Sequence, residues 1–96
     1  MSNPTSILIV DDEPVARSRL RELLADLAPD FPHRILGEAA NAPEALSQIE
    51  LNEPQIVLLD IQMPNMTGIE LARHISVRAQ TGESPKPMPL IIFVTA

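Results

Sequence analysis

The sequence predicts an α/β fold built on a parallel sheet. Three observations carry that prediction: short β-branched apolar runs without polar alternation, amphipathic stretches of helical period between them, and proline or glycine breaks that separate the two. A strand loses its polar alternation when helices cover both of its faces. Regular alternation of strand and helix then implies parallel strands joined by right-handed crossovers.

The first strand is Ile7 to Val10, a buried run of Ile-Leu-Ile-Val. The helix after it has a start signal in Pro14, which suits a first-turn position, and its apolar face reads Ala16, Leu20, Leu23, Leu24 and Leu27 before Pro29 and Pro32 stop it. Arg34 to Ala40 forms a second, less hydrophobic strand suited to a sheet edge. Asn41 and Glu44 have capping-box spacing, and Ala42, Ala45, Leu46 and Ile49 give a short amphipathic helix. After the break at Asn52-Glu53-Pro54, Gln55 to Leu59 is the third strand. A loop over 61–67 leads to a third helix whose inner face is Gly68, Leu71, Ala72, Ile75 and Ala79. Residues 81–89 hold Gly82, Pro85, Pro87 and Pro89 and read as an extended connection to a fourth strand, Leu90 to Val94, which ends at Thr95.

Acidic residues fall where strands end: Asp11 and Asp12 after the first, Asp60 after the third. The carboxyl ends of the strands line the ligand crevice of an open α/β sheet, so the three carboxylates are expected at one edge. Such groups repel one another unless protons or a hard cation neutralise them, and all-oxygen ligation suits magnesium, which takes one or two carboxylates and keeps several waters. Asp60 as a turn cap and Asp11-Asp12-Glu13 as acidic helix caps are the plain alternatives. Each explains one residue; a cation explains three. Asp60 is also a candidate nucleophile, because carboxylates serve as phosphoryl acceptors. Thr95 ends the fourth strand on the same edge, where its hydroxyl can donate to a phosphoryl oxygen or be an ordinary strand residue.

Composition narrows the function classes. Ninety-six residues with 45% hydrophobic content make one domain with a modest core, and the absence of cysteine leaves no disulfide framework or thiolate metal site. A net charge of −6 and only two aromatic residues, Phe31 and Phe93, argue against a nucleic-acid surface in this segment. Arg17, Arg19 and Arg21 alternate with apolar and acidic neighbours and read as a solvated helix face. His33 and His74 show no ligand spacing. Neither a phosphate-cradling Gly-x-x-x-x-Gly-Lys nor a dinucleotide Gly-x-Gly-x-x-Gly is present. No stretch is long and apolar enough for a membrane span, which makes a cytoplasmic location the expectation.

Three blocks together resemble the receiver domain of bacterial two-component response regulators: Ile7-Leu8-Ile9-Val10-Asp11-Asp12-Glu13-Pro14, then Val57-Leu58-Leu59-Asp60-Ile61-Gln62-Met63-Pro64-Asn65-Met66-Thr67-Gly68, then Ile91-Ile92-Phe93-Val94-Thr95-Ala96. Each block is common alone; their order and spacing are specific. The resemblance implies a flavodoxin-like doubly wound sheet of order 2-1-3-4-5, with residues 1–6 as an N-terminal tail and 7–96 as the receiver domain. It also implies that Asp60 accepts a phosphoryl group from a sensor histidine kinase. Asp12 would bind Mg2+ directly and Asp11 through a bound water, the Gln62 backbone carbonyl would be a further ligand, and Thr95 would be the switch hydroxyl with the small Ala96 beside it. Such a domain is a signalling switch that catalyses its own phosphorylation and dephosphorylation rather than a conventional enzyme. Asp12-Glu13-Pro14-Val15-Ala16-Arg17 and Phe93-Val94-Thr95-Ala96 are similar to receivers that precede a LytTR-type DNA-binding domain, which implies transcriptional control through an effector absent from this sequence.

Compared with a complete receiver, the sequence lacks the fourth helix, the fifth strand with its terminal lysine, and the fifth helix. Lys86, the one lysine, does not match that position. The expectation is therefore a C-terminally incomplete domain, prone to self-association through the fourth strand or as a receiver dimer. Two other readings stand beside this one. An aspartate-nucleophile phosphohydrolase needs a general acid two residues after the nucleophile, where this chain has Gln62. A pseudo-receiver that only binds other proteins is the second.

Overall fold

The computed structural model describes residues 4–63, 67–80 and 88–94. Seven elements follow in the predicted alternation: β1 (Thr5–Val10), α1 (Pro14–Leu27), β2 (His33–Ala39), α2 (Ala42–Asn52), β3 (Ile56–Asp60), α3 (Gly68–Gln80) and β4 (Leu90–Val94). All three strand pairings are parallel, and the order is β2-β1-β3-β4. The boundaries of the first three strands move from the sequence expectation, and the third strand runs from Ile56 to Asp60 rather than Gln55 to Leu59, which makes Asp60 its last residue. The first strand starts at Thr5, because Thr5 pairs with His33, and the second runs from His33 to Ala39.

The helix starts follow local chemistry. Pro14 opens α1, where a missing N–H costs no hydrogen bond. Asn41 caps α2 by accepting the Glu44 N–H at 2.9 Å, while the Glu44 carboxylate reaches back to the Ala40 N–H at 2.8 Å. The expected reciprocal arrangement is present, displaced by one residue on the return bond. Helix α2 ends at Glu53, whose φ of 47° places it in the left-handed region.

Alternate residues of the strands feed two cores. On one face Leu8, Val10, Val57 and Leu59 pack with Ala42 and Ala45 of α2 and Leu71 and Ile75 of α3, and Met63 closes the cluster. On the other, Ile7 and Ile9 pack with Leu24, supported by Leu20, Phe31, Ile35, Ile56 and Leu58. This second face is open toward β4, where Leu90 is 61% and Ile92 41% exposed. Ala79, the segment 81–87, Thr95 and Ala96 lie outside the residues whose side chains are described.

Candidate functional site

Parallel pairing brings the ends of β1 and β3 side by side, since Val10 stands opposite Leu59. The next residue on each strand is acidic. Asp11, Asp12 and Asp60 consequently offer carboxylate oxygens that all lie within 4.8 Å of one another, and Asp11 is the buried member while the other two are half-buried. Val94 is paired with Asp60, so β4 ends at the same edge. Thr95 itself falls outside the described residues.

Asp11 is held at three points. Its N–H donates to the Ala39 carbonyl at 3.0 Å, its Oδ1 accepts the Glu13 N–H at 2.9 Å, and its carbonyl accepts Nη1 of Arg17 at 2.7 Å. Asp60 Oδ1 accepts the Gln62 N–H at 3.2 Å, which turns the chain back at Ile61. The loop closes where Gly68 N–H donates to the Ile61 carbonyl at 2.6 Å. A Cβ at Gly68 would meet the Asp60 carbonyl oxygen and lie 2.8 Å from the Ile61 Cα, so only glycine allows this close approach. Gly68 was read from sequence as part of a helix face; its closer role is to let that helix start against the Asp60 backbone.

The electrostatics fit a cation site. Desolvation raises the Asp60 carboxyl above its ordinary value, and the charges of Asp11 and Asp12 raise it further, against the lowering effect of the Gln62 N–H. Among the described residues no guanidinium pairs with these three carboxylates; those of Arg17 and Arg21 end on Glu38. Three crowded carboxylates with no ion-pair partner among the described residues form a hard, all-oxygen donor set, which is the chemistry that suits Mg2+. A cleft of about 360 Å³, lined by Glu13, Val15, Arg19, Leu20 and Val94 among others, opens beside Asp11 and Asp60.

Arg17 departs from the sequence reading of a solvated arginine face. Arg21 is exposed as expected of a solvated face, but it and the half-buried Arg17 share one carboxylate: Arg17 Nε bonds Glu38 Oε1 at 2.9 Å and Arg21 Nε binds Glu38 Oε2. The Arg21 bond, then that of Arg17, holds the Glu38 carboxyl below its ordinary value against the opposing effect of desolvation. Their spacing of four residues, which puts both on one helix face, was the available signal. Arg19 is exposed, as the sequence reading expected. His33 bonds the Phe31 carbonyl through Nδ1 and stacks on the Phe31 ring, and it takes no part in the acidic cluster.

Comparison with known proteins gives one family. Residues 7–96 match the family described as response regulator receiver domain. The positive alginate biosynthesis regulatory protein of Pseudomonas aeruginosa is 44% identical over 92 residues, covering 95% of this chain and 33% of its own length. The chain spans about a third of the length of the curated relatives it matches. Among solved structures, the response regulator domain of Thermotoga maritima CheB superposes with a TM-score of 0.78 at 25% identity, covering 97% of this chain and 61% of that one. The CheX-CheY-BeF3-Mg+2 complex of Borrelia burgdorferi contains a chain that superposes with a TM-score of 0.77 at 26% identity, with 96% and 62% covered.

Proposed function

Because this chain belongs to the response regulator receiver family, we propose that it takes a signalling phosphoryl group on Asp60 from a sensor histidine kinase and passes the change on to an effector. The observation that supports this most directly is the convergence of Asp11, Asp12 and Asp60 at one strand edge. In the transfer, a carboxylate oxygen of Asp60 forms a bond to phosphorus as the P–N bond to the kinase imidazole breaks. The departing imidazole keeps the electron pair and takes up a proton, and Asp60 becomes an acyl phosphate.

Mg2+ would be held by Asp11, Asp12, Asp60 and the Gln62 carbonyl, and it would supply positive charge against the phosphoryl oxygens. The chain's own residues orient the reaction. The Gln62 N–H fixes one Asp60 oxygen, and Gly68 keeps the loop tight against the strand end. Thr95 follows Val94, the partner of Asp60 in the sheet, and from there its hydroxyl would bind the phosphoryl group and reorder the surrounding loops. Relatives include the transcriptional regulatory protein BtsR of Salmonella typhi. We extend that role to a parent of this segment, cytoplasmic and acting on DNA through an effector domain of LytTR type.

The test is incubation with acetyl phosphate and Mg2+, followed by intact-mass and peptide mass spectrometry. One added phosphoryl group on Asp60, lost in Asp60→Asn, is the expected result. Modification of another residue rejects the assignment. An unmodified chain favours the interaction-module reading, and steady hydrolysis of a phosphomonoester such as p-nitrophenyl phosphate favours the phosphohydrolase.

A further inference from the structure

The peptide that joins Asp11 to Asp12 is gripped by one side chain from outside its own loop. Arg17, one turn into α1, donates from Nη1 to the Asp11 carbonyl at 2.7 Å, and from Nε to Glu38 Oε1 on the edge strand β2 at 2.9 Å. The other Glu38 oxygen is taken by Arg21, and the Glu38 carbonyl accepts Nε2 of Gln48 from α2 at 2.7 Å. The Arg17 side chain is 17% exposed, whereas that of Arg21 is 46% exposed.

A planar peptide leaves only the dihedrals on either side of it free. Fixing the Asp11 carbonyl therefore sets ψ of Asp11 and φ of Asp12, and with them the directions in which both carboxylates leave the backbone. Guanidinium suits this task because its donors sit on different nitrogens in a rigid plane. A lysine ammonium carries its three donors on a single nitrogen and does not reproduce that fixed spacing.

We infer that Arg17 is a positioning residue for the acidic site, clamping the Asp11–Asp12 peptide and anchoring that clamp to β2 through Glu38. Arg21 binds the other Glu38 oxygen and does not reach the peptide. The effect on the metal rests on the function proposed above; the effect on the backbone does not.

Two readouts on the 96-residue chain test this in parallel. The first is hydrogen exchange at the Glu13 amide, whose acceptor is the Asp11 carboxylate, measured without metal against the core amides of Leu8 and Leu59. Arg17→Ala should speed exchange at Glu13 about ten-fold relative to the core, as loss of a charge-assisted bond to the loop would. Arg21→Ala should leave it unchanged, and Arg17→Lys should fall between. The second is Mg2+ affinity by calorimetric titration, which should weaken about ten-fold or more in Arg17→Ala, the usual scale for groups that orient metal ligands. Arg21→Ala should bind as the unchanged chain does. Equal behaviour of Arg17→Ala and Arg21→Ala in both readouts overturns the clamp, and if Arg17→Ala does not fold, Arg17→Lys matching the unchanged chain in both overturns it as well. An unchanged chain that fails to bind Mg2+ overturns the functional reading alone, and exchange at Glu13 then decides the clamp.

Discussion

Replacing Asp60 by Asn should make the metal-free protein more stable at neutral pH. Asp60 faces two like charges with oxygens within 4.8 Å, and at that separation each pair repels by about 1 kcal/mol in the dielectric of water and about 3.5 kcal/mol at an effective dielectric of 20. Asp60 and Asp12 are half-buried and reachable by salt, so the lower limit governs and the two pairs together come to about 1–2 kcal/mol. Asparagine keeps an oxygen for the Gln62 N–H, loses the charge, and puts an NH2 donor in place of the second oxygen. For a domain of this size the gain corresponds to a Tm rise of roughly 5–15 °C. The pH dependence has a definite sign. The native state raises the Asp60 carboxyl above its ordinary value, so it binds a proton more readily than the unfolded chain does. The charged group consequently costs stability above that raised value, and the cost fades as pH falls through it into the ordinary carboxylate range. The advantage of Asp60→Asn should vanish over the same interval. In the unchanged chain Mg2+ should supply RT ln(1 + [Mg2+]/Kd) of added stability, much of which the variant forgoes. Thermal unfolding followed by circular dichroism between acid and neutral pH, with and without Mg2+, reads all of this. A variant no more stable than the original at neutral pH without metal, or one whose advantage persists undiminished in acid, would refute the electrostatic reasoning.

Gly68→Ala should cost about 1–3 kcal/mol, because the new Cβ meets backbone and not a yielding side chain. Urea titration gives the loss, and Mg2+ affinity should fall with it since the displaced atoms belong to Asp60 and Ile61. The exposed apolar side chains of β4, Leu90, Ile92 and Phe93, should drive association that depends on concentration at low micromolar levels. Sedimentation velocity would show it, and Ile92→Lys should suppress it; a monomer at all concentrations counts against it.

The strands were legible because a strand covered on both faces must be apolar at consecutive positions, and Ile7 to Val10 and Val57 to Leu59 meet that condition without exception. The acidic cluster was legible for a related reason. Once the strands are parallel, residues that follow their last apolar position arrive at one edge, so Asp11, Asp12 and Asp60 could be placed together from strand ends alone. The arginine clamp was not legible in the same way. Arg17 and Glu38 are 21 positions apart, and their meeting depends on how α1 lies across the β1–β2 pair, a rotation that helical periodicity leaves open. The apolar face of α1, with Leu20 and Leu24 turned to the sheet, fixes that rotation and carries Arg17 and Arg21 to the side nearest β2. Glu38 was the available hint. A carboxylate in the last turns of a strand flanked by Gly37 and Ala39 has little reason to be there without a partner, and the nearest helix face with two cations four residues apart provides it. The clamp thus follows from the same packing that builds the second core, and a change that rotates α1, such as Leu24→Ala, should loosen the Asp11–Asp12 peptide even though Leu24 touches no charged group in it.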